Sequence, residues 1–120
     1  MKNIILFSAG LFFFHAYALA GETLDAAAVK KLITGNTVLA LRGNGSTAKN
    51  YFSPDGKLIR HENGGTSEGT WLVKDDGSHC VEGMPGGCAR IVNNNDGTYE
   101  RVPAWGPSAT FKSIVNGKDF

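Results

Sequence analysis

Hydrophobic and polar residues change their pattern twice along the 120-residue chain. An almost uninterrupted apolar run comes first, at residues 4–14. A segment with apolar side chains three or four positions apart follows at residues 22–34, and this spacing is typical of an amphipathic helix. From residue 36 onward, apolar and polar residues alternate in short stretches, as in half-buried β-strands. The pattern therefore predicts an apolar leader, one helix and a β-rich body.

Residues 1–20 have the features of a secretory signal peptide. Lys2 supplies the positive start, the apolar run follows, and Ala18-Leu19-Ala20 forms a small-x-small cleavage site before Gly21. The run is shorter than the roughly 20 apolar residues that a membrane span needs. We therefore expect export through the general secretory route to the periplasm or beyond, cleavage after residue 20, and a single domain at residues 21–120.

The segment from Glu22 to Thr34 predicts the helix. Thr23 is a candidate N-cap, strong helix formers follow it, and Gly35 is a typical stop signal. The polar face is not densely basic, so we expect this helix to pack on the domain and not on a membrane surface.

Groups of turn-forming residues recur every 9–12 positions between Asn44 and Gly106. This spacing is typical of all-β meanders, sandwiches and barrels. The seven turns separate eight predicted strands, at residues 36–43, 47–53, 57–62, 67–74, 78–83, 88–93, 98–103 and 109–115. Sequential short hairpins close most simply as a small antiparallel up-and-down β-barrel with the helix as a cap. A two-layer β-sandwich is the alternative fold.

Alternation within these strands predicts which side chains share a face. Trp71 and Val73 are expected on one face of the fourth strand. In the last strand, Phe111 is expected to share a face with Ser113 and Val115.

The two cysteines of the chain, Cys80 and Cys88, flank a loop rich in glycine and proline. An oxidising compartment favours a disulfide between them. The nine-residue ring that it closes should stabilise the fold by about 2–3 kcal/mol in the chain-entropy model. A redox or metal role is the rival interpretation, but redox pairs are usually separated by two residues and zinc sites normally use four ligands.

Charge excludes several classes of partner. The whole chain carries a formal net charge of +1, and removal of Lys2 with the leader leaves a neutral domain. A neutral surface gives no electrostatic reason to bind nucleic acid or, after cleavage, a membrane. His61 and His79 do not form a metal-ligand motif, so neither a metal nor another cofactor is expected. The domain is also expected to be a monomer.

The sequence contains no convincing catalytic motif. Four glutamates fall on predicted strands, and two converging carboxylates would be the arrangement of a glycosidase. Surface acids are common on small β-domains, so a hydrolase with an acid pair is only the weaker alternative and we expect no enzyme. The four glutamates on predicted strands are Glu62, Glu68, Glu82 and Glu100.

The remaining candidates are aromatic and arginine side chains, which in a barrel either fill the interior or line a pocket at its mouth. The predicted ligand-binding residues are Arg42, Tyr51, Trp71, Tyr99, Arg101 and Trp105. We expect a non-catalytic binding module for a small molecule or a peptide end. The alternative is an inhibitor or accessory protein that inserts the loop Glu82–Gly87 into another envelope protein.

The order of the motifs is similar to that of a known group. A helix ends in a Gly-Asn-Thr turn, an aromatic-x-Pro-Asp-Gly hairpin and a Gly-x-Trp strand follow, and two cysteines flank the next hairpin. These motifs lie at Gly35–Thr37, Phe52–Gly56 and Gly69–Trp71. Across residues 22–117 the chain resembles small exported proteobacterial domains of unknown function. The resemblance implies a lipocalin-like or avidin-like antiparallel barrel in the bacterial envelope, and it implies no reaction and no binding residue.

Overall fold

A computed structural model describes residues 21–120, and the predicted signal peptide lies outside these residues. Within them the chain forms nine strands and one helix. The strands are β1 (Glu22–Thr23), β2 (Asn36–Arg42), β3 (Thr47–Phe52), β4 (Lys57–Glu62), β5 (Gly65–Val73), β6 (His79–Glu82), β7 (Gly87–Asn93), β8 (Tyr99–Pro103) and β9 (Ala109–Asn116). The helix α1 (Ala26–Ile33) lies between β1 and β2.

Strands β2 to β9 form a closed antiparallel barrel. Each strand pairs with the next in the chain, and β9 returns to pair with β2, so that the ring of eight has no free edge. The short β1 pairs with β7 outside this ring. The structure confirms the predicted up-and-down barrel and excludes the sandwich. Every predicted strand lies within two residues of the observed bounds.

The turns form through the local chemistry that the sequence indicates. Asp55, Asp76 and Asp96 each accept a hydrogen bond, 2.9–3.1 Å long, from the backbone N–H two residues further on. Such contacts replace a backbone turn bond and favour chain reversal. At Asn63–Gly64 both residues have positive φ, 52° and 76°, the conformation that a two-residue hairpin turn requires and that Asn-Gly adopts most readily.

The helix begins later than predicted, and Thr23 does not cap it. Asp25 is the N-cap, since its carboxyl oxygen accepts the backbone N–H of Ala28 at 2.9 Å. The preceding residues are held extended along β7, because the N–H of Leu24 donates to the carbonyl of Ile91 at 2.8 Å. A tertiary hydrogen bond thus overrides the helical propensity of this first segment.

The predicted face pattern of β9 is wrong beyond Phe111. The pairing register with β2 skips Lys112, so this residue forms a β-bulge. A bulge adds one residue and reverses the alternation that follows it. Ile114 therefore packs against the core, whereas Val115 is 43% exposed. Trp71, in contrast, packs against the core together with Val73, as predicted.

Successive turns lie at alternate ends of the barrel. The helix lies at the same end as the β3–β4 turn, because the N–H of Gly35 donates to the carbonyl of Phe52 at 2.7 Å. We call this the closed end, and we call the end with the β2–β3, β4–β5, β6–β7 and β8–β9 turns the open end. The core lies toward the closed end. Its fully buried apolar side chains, all 0% exposed, are Val29, Ile33, Val38, Leu58 and Ile91.

Cys80 and Cys88 lie directly opposite each other on β6 and β7 and form the predicted disulfide. The bond closes the base of the β6–β7 turn at the open end. No helix within residues 21–120 has the length and hydropathy of a membrane span.

Candidate functional site

The open end of the barrel contains a cavity of about 580 Å³. This volume lies within the usual range for small-molecule sites, about 300–1,000 Å³. Charged and polar side chains form one part of the wall, among them Arg42, Asn50, Arg60, Glu62, His79 and Arg101. Apolar side chains form the other part, among them Ala40, Phe52, Val81, Pro103, Trp105 and Phe111.

Strand alternation places the polar side chains inside the barrel. On β4, Leu58, Arg60 and Glu62 share the inner face, and Leu58 lies in the core while the other two line the cavity. On β8, Arg101 and Pro103 line the cavity on the same face. Strand β4 therefore changes from apolar to polar as it approaches the open end, and on β8 the charged Arg101 lies between Tyr99, which packs against the core, and Pro103.

Arg101 holds β6 and the β6–β7 turn against β8. Its Nε donates to Nδ1 of His79 at 3.0 Å, and its Nη2 donates to the carbonyls of His79 and Gly87 at 3.1 and 2.8 Å. Its Nη1 donates to the carbonyl of Gly86 at 3.0 Å. Burial, with the nearby charge of Arg60, lowers the pKa of Arg101 to about 10, so the side chain still carries its charge at neutral pH. All of these acceptors are neutral, and the charge of Arg101 is therefore uncompensated by them.

His79 is buried and neutral beside this arginine. Its side chain is 1% exposed, and burial, followed by the charges of Arg101 and Arg60, lowers its pKa to about 3. Because Nδ1 accepts the hydrogen bond from Arg101, the ring proton lies on Nε2, which has no hydrogen-bond partner among the described residues. The ring meets Phe52 in a T-shaped contact with centroids 5.0 Å apart. His79 thus acts as a fixed neutral acceptor that orients Arg101.

Arg60 is the central cation of the cavity. Its Nε donates to Oδ1 of the buried Asn50 at 2.7 Å, and its Nη1 donates to the carbonyl of Pro85 at 3.0 Å. Its Nη2 has no partner within residues 21–120. Burial, followed by the charge of Arg42, lowers the pKa of Arg60, and the charge of Glu62 partly opposes this. The charge of Arg60 in turn lowers the pKa of Arg101. Arg60 is therefore the electrostatic neighbour of both Arg42 and Arg101.

Arg42 and Glu62 form an ion pair near the mouth of the cavity. Nη1 of Arg42 lies 2.6 Å from Oε1 of Glu62 and donates to Oγ of Ser46 at 3.2 Å. Nε and Nη2 of Arg42 have no partner in the described part of the chain, nor does Oε2 of Glu62. Both side chains are about one-third exposed, at 33% and 29%.

Charge in the cavity is therefore strongly unbalanced. Among the described lining residues there are three guanidinium groups and one carboxylate, an excess of two positive charges. Unpaired charges in partly dry surroundings are costly, and an anion placed among them relieves that cost. Arg60 and Arg42 still offer N–H donors that no residue of the described range 21–120 uses.

The structure brings together three of the six predicted binding residues. Arg42 and Arg101 line the cavity, and Trp105 stands at its mouth with 89% of its surface exposed. Trp71 instead lines a shallower depression of about 410 Å³ beside α1 and donates from Nε1 to the carbonyl of Ser53 at 3.0 Å. Tyr99 packs against the core.

Tyr51 lies on the outer face of β3, since its neighbours Asn50 and Phe52, like Ala48, are buried. Strand face thus excludes Tyr51 from the cavity, and distance from the open end excludes Trp71 and Tyr99.

Sequence reasoning did not assign the other charged or amide side chains of the cavity to a binding site; Glu62 was considered only as one of four candidate acids and His79 only as a metal ligand. Arg60 and Glu62 carry a usable signal, because they follow Leu58 at spacings of two and belong to the same face. Asn50 precedes Phe52 in the same manner on β3. An inward-facing polar residue toward one end of a barrel strand is the pattern that would have found them.

The strand glutamates do not converge. Among the four proposed acids, only Glu62 lines the cavity. Alternation places Glu68, Glu82 and Glu100 on the outer face, and Glu100 accepts there from Oγ1 of Thr110 at 3.0 Å.

No family model matches the chain, and neither a curated protein nor a solved structure matches it. Fold and site geometry therefore define its class: a small disulfide-containing β-barrel that is filled at one end and has a cationic, partly apolar cavity at the other.

Proposed function

We propose that this protein is a non-catalytic binding module for a small organic anion that carries an apolar group. The observation that supports it best is the excess of guanidinium groups over carboxylates in the cavity. The apolar body of the ligand would lie against Phe52, Val81 and Phe111, and its anionic group would face Arg60 and Arg42.

The structure of the wall supports this function on energetic grounds. A hydrogen bond between a guanidinium and an anionic group contributes about 1.5–3 kcal/mol, more than a neutral pair. The donors are already held in place, since Arg60 is fixed by Asn50 and Pro85. A held donor loses little conformational freedom on binding, which favours affinity.

We further propose that the protein acts in the periplasm or outside the cell, after removal of residues 1–20. The disulfide at Cys80–Cys88 is compatible with this location, because such bonds persist in oxidising compartments. A cavity that binds without catalysis is consistent with a monomeric scavenger or carrier.

A protein-directed role for the β6–β7 loop has weaker support. The carbonyls of Pro85 and Gly86 accept hydrogen bonds from Arg60 and Arg101, so the loop is part of the cavity wall. A loop that inserts into a partner would have to give up these charged hydrogen bonds.

The proposal is tested by calorimetric titration of the processed domain with 3-phenylpropionate and hexanoate. Their neutral counterparts, 3-phenylpropan-1-ol and 1-hexanol, report the apolar contribution alone. We expect the carboxylates to bind at least tenfold more tightly than the alcohols, which corresponds to about 1.4 kcal/mol.

The variant Arg60→Gln should weaken carboxylate binding by about tenfold or more, because a charged donor is lost. Arg90→Gln is the matched control, since Arg90 is exposed on β7 between the buried Ala89 and Ile91 and so lies outside the barrel. Equal binding of acids and alcohols, or equal effects of the two substitutions, would contradict the proposal.

A further inference from the structure

Glu62 is an unusual neighbour for an anion site, and its position has a consequence for the ligand. It lies on the inner face of β4 two residues after Arg60, so the two Cα atoms are about 6–7 Å apart by the rise of a strand. Arg42 binds Oε1 of Glu62, while Oε2 has no partner in the described part of the chain. The cavity therefore presents a free carboxylate oxygen beside free guanidinium donors.

These two features accept complementary groups. The free N–H donors of Arg60 and Arg42 suit an anionic oxygen, and the free Oε2 of Glu62 suits an N–H or O–H donor. A simple carboxylate would accept from the guanidinium donors but would offer no hydrogen-bond donor to Oε2 of Glu62. It would also bring its own charge close to Glu62, which is unfavourable unless a hydrogen bond offsets it.

We propose that the cavity selects carboxylates that carry a neutral hydrogen-bond donor on the carbon next to the carboxyl group, with Glu62 as the specificity-determining residue. This chemistry occurs in α-hydroxy acids and in peptide C-termini or N-acylated amino acids. The inference rests on the proposed binding function and names its ligand class. The carboxylate contacts Arg60 and Arg42, the adjacent O–H or N–H donates to Glu62, and the side chain of the ligand contacts Phe52 and Phe111.

A neutral donor fits this cavity better than an ammonium group. The charge of Arg101 is not compensated by its hydrogen-bond acceptors, and that of Arg60 is only partly offset by Glu62, so both repel a further cation. The only negative charge among the described lining residues, that of Glu62, is already shared with Arg42. A free amino acid would thus lose through repulsion what it gains at Glu62.

The experiment compares four probes that share one phenyl group, by calorimetric titration of the processed domain. They are 3-phenylpropionate, 3-phenyllactate, N-acetyl-phenylalanine and phenylalanine. We expect 3-phenyllactate or N-acetyl-phenylalanine, or both, to bind about tenfold more tightly than 3-phenylpropionate, the gain expected of a hydrogen bond to a charged acceptor. Phenylalanine should bind no more tightly than 3-phenylpropionate.

The two probes with neutral donors distinguish the sources of the shared chemistry. Tighter binding of 3-phenyllactate identifies a small hydroxy acid, and tighter binding of N-acetyl-phenylalanine identifies a peptide end.

The variant Glu62→Gln tests the assigned residue while keeping its size and an oxygen that can still accept from Arg42. The tenfold preference should fall to about threefold or less, and the affinity for 3-phenylpropionate should stay equal or increase because a negative charge is removed. Glu68→Gln is the control, since Glu68 is exposed on β5 outside the cavity.

The outcomes separate the inference from the function on which it rests. If 3-phenylpropionate binds in an Arg60-dependent manner but the added donor gives no advantage, or the advantage survives in Glu62→Gln, the ligand class is wrong and the binding function stands. If none of the carboxylates binds, both are overturned. These comparisons among ligands of the unmodified protein do not depend on how the variant folds.

Discussion

The two ends of the barrel are built by the same strands and yet differ in almost every physical property. At the closed end, the helix and strands bury Val29, Ile33 and Leu58 completely. At the open end, the same inner face carries Arg60 and Glu62 around a cavity of about 580 Å³. The change occurs within single strands, over a spacing of two residues on β4.

This difference shows how a small domain separates stability from recognition. Burial of apolar surface at the closed end supplies the free energy that folds the chain. The closed ring then holds charged side chains in positions that would be unfavourable in a fully packed interior. Sequence changes at the two ends should therefore affect different measurements.

The largest effect is expected from truncating a buried side chain at the closed end. Leu58→Ala should lower the free energy of unfolding by about 2–5 kcal/mol, because it removes a fully buried side chain and leaves a cavity. Urea denaturation followed by circular dichroism measures the loss. Leu72→Ala is the control, since Leu72 is exposed on β5 and should cost far less. A loss below about 1 kcal/mol for Leu58→Ala would show that the closed end is loosely packed.

The second test concerns His79, whose ring contacts Phe52 of the core and also lines the cavity. Its pKa is lowered to about 3 from a usual value of 6.5, so the unfolded chain takes up a proton between these pH values and the folded chain does not. The free energy of unfolding should therefore fall more and more steeply below pH 6.5, with a slope that approaches about 1.4 kcal/mol per pH unit near pH 5. Stability contributed by the neutral ring is complete well above pH 6.5 and is lost as the pH falls from there toward 3.

His79→Gln should remove this slope even if it lowers stability at every pH. His61→Gln is the matched control, because His61 lies at the barrel surface, where it stacks on Phe120. An unchanged slope in His79→Gln would mean that other groups cause the pH dependence.

The smallest expected effect on stability is at the mouth of the cavity. Trp105→Ala should change the free energy of unfolding by no more than about 0.5 kcal/mol, because the side chain is 89% exposed. The same change should weaken 3-phenylpropionate binding several-fold, since Trp105 lines the entrance. A large loss of stability with unchanged binding would reverse the roles assigned to this side chain.

The architecture could be predicted from the sequence because its signals are local. Each turn depends on residues two or three positions apart, as at Asp96, whose carboxyl oxygen accepts the N–H of Thr98. Regular turns fix the number and length of the strands, and antiparallel hairpins then leave few topologies. The disulfide follows from the same logic, since Cys80 and Cys88 flank one hairpin.

The predictions were wrong or incomplete where a contact with a distant part of the chain determined the local structure. Glu22–Thr23 pairs with β7, although its composition is compatible with a helix. The bulge at Lys112 depends on the register between β9 and β2, and no residue in β9 alone indicates it. Arg60 was not selected as a binding residue because its neighbours in the cavity, Arg42 and Arg101, lie on other strands.

The order of turns and alternating strands by itself determined a hairpin-built all-β domain with one helix, since these features depend on conformational preferences over a few residues; closure of the ring excluded the sandwich. Tertiary structure alone decided which end is filled and which is hollow. It also placed Arg42, Arg60 and Arg101 around one space with a single carboxylate among the described lining residues. The physical reason is that electrostatic balance and cavity volume are sums over side chains from many strands, and closure of the ring brings those side chains together.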